Sequence, residues 1–309
     1  MRAYGDTLIV GVDAGYGNMK TVSCMFPTGL SASEEKPYFT ENLLIYEGNY
    51  YLISSGHKEY TDHKIQDNDY YVMTLAAIAQ ELSLQRISTA KVILAVGLPL
   101  TWMAQQQKSY REYLLKDRGL EFNYRGVDYN LELLDAMVFP QGYAAIAERI
   151  NEFRAVNLVA DIGNGTVNLL RVIDRRPDAA TMATEACGVK DCAVAMRIAL
   201  ANRHSGAKVD DYLIEHIIRT GSARINGEYL ETLTKAAKTY TEGLFRRFRE
   251  YGYNEKTMQL YVVGGGGCLI RNFGKYDPAS VTINGDLHAN AKGYEYLAYE
   301  RLRKRGISA

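Results

Sequence analysis

The chain has 309 residues, enough for two domains that each bury a core of their own. Its 36 Lys and Arg balance its 36 Asp and Glu, so the formal net charge is zero, which excludes a protein whose main task is to coat nucleic acid. The first dozen residues lack a long apolar stretch of the signal-peptide kind, and no apolar run approaches the ~18 residues of a membrane span; the expectation is a cytoplasmic protein without membrane contact. Four scattered cysteines (Cys24, Cys187, Cys192 and Cys268) form no CxxC pair and complete no Cys/His cluster. They are expected to be reduced, mostly buried thiols.

In chain order, Leu8 to Val12 is an apolar strand that runs into Asp13-Ala14-Gly15-Tyr16-Gly17, with a returning strand expected at Lys20 to Met25. Asn42 to Ile53 reads as a hairpin centred on Glu47-Gly48-Asn49. Tyr71 to Leu84 is an amphipathic helix, Lys91 to Val96 a continuous apolar strand ended by Gly97-Leu98-Pro99, and Gln105 to Leu115 a helix. Leu131 to Phe139 is strand-like, and Gly142 to Phe153 is predicted helical. The pattern then restarts. Val156 to Asp161 is a strand, Gly163-Asn164-Gly165 a turn, and Thr166 to Ile173 the returning strand. Helices follow at Asp191 to Asn202, Val209 to Arg219 and Tyr229 to Tyr251; Gln259 to Val263 is a strand, four glycines lead into a short helix, and Ala289 to Lys304 closes the chain. Strands mixed with helices in this order mean an α/β fold. The repeated strand–Asp–glycine turn–strand opening suggests two lobes of related topology.

Three glycine-rich segments, each after an apolar strand, hold the candidate chemistry: Asp13 to Lys20, Asp161 to Thr166, and Gly264 to Gly267. A carboxylate at the end of a buried strand is costly unless something pairs with it. Beside it, a glycine turn aims backbone amides outward in a nest that suits phosphate oxygens. Mg²⁺ takes one or two carboxylates together with phosphates and water, which is what two such turns supply. Lys20 lies on the returning strand within reach of a phosphate, and Thr166 adds a hydroxyl. The four glycines leave no side chain between backbone and a flat ligand, and the helix after them presents its positive end. Other nucleotide signatures fail: there is no G-x-x-x-x-G-K-[ST], and the glycine run makes no G-x-G-x-x-G because Leu269 and Ile270 follow.

This order of segments resembles the superfamily of actin, heat-shock chaperones and sugar kinases, and within it the bacterial actin-like ATPases of the ParM/StbA plasmid-segregation type. Gly97-Leu98-Pro99, Phe139-Pro140-Gln141-Gly142 and Asn290-Ala291-Lys292-Gly293-Tyr294 add to the likeness. The resemblance implies an actin-like fold with two related lobes, each a mixed β-sheet flanked by helices, and a nucleotide cleft between them. It places lobe I at residues 1–155 plus 286–309 and lobe II at 156–285. It further implies that Asp13 and Asp161 hold Mg²⁺ through water. Gly15, Tyr16, Gly17, Asn18 and Lys20 on one side, and Gly163, Asn164, Gly165 and Thr166 on the other, would clamp the ATP phosphates. Gly264, Gly265, Gly266 and Gly267 would lie against adenosine, and Gln141 would orient the attacking water.

The implied partners are the chain itself, as a homopolymeric filament, and a DNA-binding adaptor of the ParR type, with no direct nucleic-acid contact. A small-molecule kinase or phosphatase of the same superfamily stays open as the alternative. The five histidines are scattered and read as structural. The tyrosine clusters Tyr50-Tyr51 and Tyr70-Tyr71 suit either amphipathic faces or subunit contacts. The basic runs Arg246 to Arg249 and Arg301 to Arg305 suit a solvated face, an acidic partner or a neighbouring subunit.

Overall fold

Runs of β-branched and aliphatic residues that stay buried on both faces set the centre of each half of the chain. In a computed structural model, which describes residues 1–55, 65 and 68–307, the first half carries β1 (Arg2–Tyr4), β2 (Thr7–Ala14), β3 (Asn18–Lys20), β4 (Met25–Pro27), β5 (Leu30–Ser33), β6 (Leu43–Tyr46) and β7 (Asn49–Ile53). It continues with α1 (Asp69–Ser83), β8 (Thr89–Leu98), α2 (Met103–Leu114), β9 (Gly119–Tyr124), β10 (Val127–Pro140) and α3 (Tyr143–Ala147). The second half carries β11 (Val156–Ile162), β12 (Val167–Ile173), β13 (Arg176–Glu185), α4 (Val189–Arg203), α5 (Asp211–Thr220), α6 (Gly227–Glu250), β14 (Gln259–Val263), α7 (Gly267–Phe273), β15 (Val281–Ile283) and α8 (Ala289–Ile307). Two units result, Met1–Glu148 with His288–Ala309, and Arg149–Leu287.

The first unit holds a sheet ordered β4-β3-β2-β8-β10-β9-β6-β7-β5, with β1 added beside β2; the second holds β13-β12-β11-β14-β15. In the first, β2, β8 and β10 are parallel while β3 and β4 return antiparallel. In the second, β11, β14 and β15 are parallel while β12 and β13 return antiparallel. The five-strand order β4-β3-β2-β8-β10 is therefore repeated as β13-β12-β11-β14-β15. The echo seen in the sequence is a duplicated topology, and in both copies the central strand carries Asp as its next-to-last residue before a glycine turn.

Local chemistry explains where the elements depart from the sequence expectations. The returning strand of the first turn is Asn18–Lys20, not Lys20 to Met25. The Thr21 hydroxyl accepts from the Ser23 and Cys24 amides, and the Thr21 amide donates to the Cys24 carbonyl, so the chain turns before β4. The helix expected over 142–153 stops at Ala147, passes through a 3-10 turn at Ile150–Glu152, and delivers Phe153 to an edge-on contact with Tyr261 at 4.9 Å between ring centres. The Glu47-Gly48 turn forms as expected, with both residues at positive φ. Tyr70 and Tyr71 are buried in the first unit and are core residues, so they offer no subunit contact. Of the cysteines, Cys192 is fully buried, and burial pushes its thiol up to about 12; all four are free. Among the histidines, His57 and His63 lie outside the described residues. His288 shares a hydrogen bond with the Thr21 carbonyl (2.8 Å) and His204 with the Thr232 hydroxyl (3.0 Å), both in structural positions.

Helix α8 lies against β2 and α3 because glycines make room for it. A Cβ on Gly11 would run into the Ala291 carbonyl, one on Gly97 into the Tyr294 ring, and one on Gly293 into the Ala144 carbonyl. This packing buries Glu295, 3% exposed, with the Met1 ammonium 3.8 Å and Arg2 Nε 3.9 Å from its carboxylate and Glu81 close to the same ammonium. Loss of hydration dominates and pushes the Glu295 carboxyl up to about 7, although Met1 and Arg2 pull the other way. A carboxyl raised in the folded state favours the native protein while it is protonated. Its contribution is therefore lost as pH rises from about 4.5 to about 7. Glu295→Gln is expected to gain up to about 3 kcal/mol over wild type at pH 8 and close to nothing at pH 5, read by denaturant unfolding at the two pH values.

Candidate functional site

In the first unit, the buried strand β2 carries Asp13 to its end, where the carboxylate is 5% exposed. Its partners come from two other elements. Lys20 on β3 places Nζ 3.5 Å from Oδ2, and Gln141, just beyond β10, places Nε2 3.3 Å from Oδ1. The pairing Asp13↔Lys20 is a register position of the β2–β3 hairpin, so the hairpin itself fixes the ion pair. Gln141 is 8% exposed and held by its backbone: its amide donates to the Leu98 carbonyl at 2.9 Å, and its own carbonyl accepts from Tyr143 N at 2.9 Å. Gly142 supplies the positive φ of +74° that turns the chain here, and its amide donates to Asn290 Oδ1 at 3.0 Å. Thus three of the predicted residues, Asp13, Lys20 and Gln141, come together, and Asn290 at the start of α8 braces the third.

Between Asp13 and Lys20 the glycine turn is tight. The Gly15 amide donates to the Asp13 carbonyl at 3.0 Å, and a Cβ on Gly15 would sit 2.8 Å from the Asn18 carbonyl oxygen. The buried Thr28 closes the turn from below: its hydroxyl donates to the Gly15 carbonyl at 2.6 Å and its amide to the Gly17 carbonyl at 3.1 Å. With the Gly15 and Gly17 carbonyls taken by Thr28, the turn is held as a fixed loop.

In the second unit, Asp161, 4% exposed, is the next-to-last residue of β11, beside the turn Gly163 to Thr166. The Gly163 amide donates to the Thr166 carbonyl at 2.8 Å. The Gly163 and Asn164 carbonyls accept the Val189 and Lys190 amides at 3.1 and 3.0 Å, which ties the turn to the first residues of α4. Gly188 makes this approach feasible, because a Cβ there would collide with the Asn164 carbonyl and lie 2.7 Å from Gly165 N. Asp191 accepts the Gly188 amide at 2.8 Å and Tyr240 donates to the Gly188 carbonyl at 2.8 Å.

The glycine run adds to the same region of the second unit. Gly264 has φ +84°, and a Cβ on it would stand 2.6 Å from both Asp161 Oδ1 and the Ile162 carbonyl. The Gly266 amide donates to Ile162 O at 2.8 Å and the Gly267 amide to Gly264 O at 3.1 Å. Two of the four amides are thus used within the protein, and Gly264 and Gly266 serve to bring the start of α7 against the end of β11. Gly265 differs: the nearest atom to a Cβ there is Leu287 Cδ2 at 3.9 Å, so its missing side chain is not explained by internal packing.

Thr28, Asn290, Gly188 and Asp191 escaped assignment from the sequence. The last pair carried a signal, a Gly followed three residues on by Asp at a helix start, and Asn290 stands in a segment singled out without a role. Thr28 left none. Each unit by itself offers a buried carboxylate beside a tight glycine turn, and hard oxygen donors of this kind fit a hydrated Mg²⁺ carried on phosphates.

Residues 11–143 match the family described as "Actin like proteins N terminal domain". No curated protein matches the chain in sequence. Solved structures match over nearly the whole chain. The archaeal actin homologue Ta0583 in complex with ADP aligns with TM-score 0.70 at 19% identity, over 95% of this chain and 99% of that one. The apo psk41 ParM protein aligns with TM-score 0.71 at 14% identity, over 98% and 100%. The Alp12 filament structure aligns with TM-score 0.68 at 16% identity, over 96% and 99%.

Proposed function

We propose, from the premise that this chain has the actin-like fold and carries the N-terminal domain of the actin-like proteins, that it is a cytoplasmic ATPase that assembles into filaments with Mg-ATP. Hydrolysis then loosens the polymer, and the filament moves plasmid or other DNA through a ParR-type adaptor. The observation that carries this reading is the duplicated topology, with a buried Asp and a rigid glycine turn at the end of each central strand. The likenesses to an ADP complex, to a ParM and to a filament support it. The zero net charge agrees with DNA being reached through an adaptor.

In this reading the two turns hold the β- and γ-phosphates of one nucleotide, with Lys20 as the positive charge against them and Gly265 beside adenosine. Asp13 and Asp161 hold Mg²⁺ through water, and the ion supplies charge neutralisation of the phosphates. Gln141 donates its amide hydrogen to Asp13, which leaves its carbonyl oxygen to accept from the attacking water and align it. A neutral amide is a weak base, so positioning is its contribution. The direct test is phosphate release from Mg-ATP by the purified chain, with and without EDTA. Metal-dependent turnover is expected; no binding and no turnover of any nucleotide would remove the reading.

Self-association has its own candidate contact. Tyr38 and Phe39, adjacent in the segment between β5 and β6, are 102% and 81% exposed. Burying two such rings contributes on the order of 1.5–3 kcal/mol each. Tyr38→Ser with Phe39→Ser is expected to raise the protein concentration needed for ATP-dependent pelleting by about tenfold or more, with nucleotide affinity unchanged. Unchanged pelleting would take this segment out of the assembly contact.

A further inference from the structure

The basic run near the end of the chain finds a use that the nucleotide site does not supply. Strand β10 pairs with β8 along its length, but β9 covers its other side only from Val127 to Glu132. Past that point, among the described residues, side chains rather than a strand satisfy the outer edge of β10. Arg118 Nη1 donates to the Leu134 carbonyl at 2.9 Å, Gln107 Nε2 to the Val138 carbonyl at 3.3 Å, and the Ala136 amide to its neighbour's carboxylate, Asp135 Oδ1, at 2.8 Å. Such provisional caps are how a sheet edge is kept from pairing at random.

A cavity of about 390 Å³ runs along this edge, with Ala136 to Val138 at its floor and α2 and α8 contributing its walls. Lys108 and Arg111 stand on one wall, Arg301 and Arg305 on the other. Asp135 is the one carboxylate among the lining residues, and Arg111 already binds it through Nε (3.1 Å) and Nη2 (2.6 Å). The Arg301 guanidinium lies over the Phe139 ring at 5.2 Å, so it is held in place at the groove, and Lys108 is 91% exposed. Four cations against Asp135 and against Glu112, whose carboxylate lies 3.9 Å from Lys108, leave a local excess of positive charge on a chain with none overall.

We propose that this groove is a docking site for an extended acidic segment of a partner polypeptide, lying along the outer edge of β10 with its carboxylates on Lys108, Arg111, Arg301 and Arg305. Charge complementarity names the sign of the occupant. The groove between α2 and α8 and the sheet edge with side-chain caps name its shape, because an extended chain reaches both walls and replaces the caps with main-chain hydrogen bonds. Its electrostatic share makes binding salt-sensitive. The inference is independent of nucleotide chemistry.

The test is fluorescence anisotropy of a short labelled peptide of alternating Glu and Val, titrated with the full chain at low and at high salt. Binding that weakens with salt is expected, falling about tenfold or more in Arg301→Glu with Arg305→Glu. The milder pair Arg301→Gln with Arg305→Gln should give an intermediate loss with unchanged thermal unfolding. Reversal of two exposed arginines elsewhere, Arg175→Glu with Arg176→Glu, should leave binding as it was. Equal loss in that control, or tight binding of the matching Lys–Val peptide, overturns the site. Preferential binding of single-stranded DNA to the same four residues overturns the polypeptide occupant in favour of nucleic acid. A variant that changes only self-association, with peptide binding intact, assigns the groove to a second copy and overturns it as well.

Discussion

Asp161→Ala is expected to lower ATP turnover by about 10²–10³-fold while the chain still folds. The carboxylate's residue pairs with Asn168 on β12 and with Val263 on β14, one position before the end of β11, so its place is fixed by strands on both sides. A small methyl group there leaves that pairing intact, since both are backbone ladders. What is lost is a buried negative charge beside the Gly163 to Thr166 turn, and with it the carboxylate proposed to hold a phosphate-bound cation. Phosphate release measured beside thermal unfolding checks this. An Asp161→Ala protein with wild-type turnover would detach the second turn from the chemistry, whatever its stability. Asp13→Ala tests the first turn in the same way and leaves Lys20 without its partner at 3.5 Å.

The second large effect is expected from Gly264→Ala. An L-residue at φ +84° costs on the order of 1–2 kcal/mol. The added Cβ also meets Asp161 Oδ1 and the Ile162 carbonyl at 2.6 Å, atoms belonging to a central strand, so neither yields cheaply. We expect a loss of about 3 kcal/mol or more in denaturant unfolding, together with impaired turnover because Asp161 is displaced. Gly265→Ala is the paired control. Its Cβ meets nothing nearer than 3.9 Å, so stability is expected to change by less than about 1 kcal/mol. A drop in nucleotide affinity in Gly265→Ala alone identifies Gly265 as the glycine that faces ligand. Equal effects at both positions would contradict this division of roles.

The comparison of these two glycines shows what the sequence could and could not convey. Four glycines after an apolar strand are legible as a close approach of backbone to something. Whether that something is adenosine or the neighbouring strand depends on three-dimensional neighbours, and for Gly264 and Gly266 it is Ile162 and Asp161. The duplicated strand–Asp–turn was legible because burial on both faces leaves continuous apolar runs such as Leu8 to Val12 and Leu158 to Ala160. β9 and β13 were not, because polar residues interrupt them: exposed Glu121 and half-buried Asn123 in one, exposed Arg176 and half-buried Asp178 in the other. Gln141 was found by its place in the connecting segment, but its brace, Asn290, lies 148 residues from Gly142 in sequence and meets the Gly142 amide at 3.0 Å only in the folded chain. Thr28 is similar: a threonine between strands says nothing until the Gly15 and Gly17 carbonyls are placed above it.

The measurement that bears most directly on the central claim is right-angle light scattering of the purified chain on addition of Mg-ATP, with pelleting of the same samples and Asp161→Ala alongside. A rise in scattering that needs both Mg²⁺ and ATP and decays in wild type as phosphate is released, but persists or never begins in Asp161→Ala, is the predicted result. Wild-type protein that binds and turns over ATP while remaining monomeric at high concentration would contradict assembly as its function, and would turn attention to phosphoryl transfer onto a small molecule.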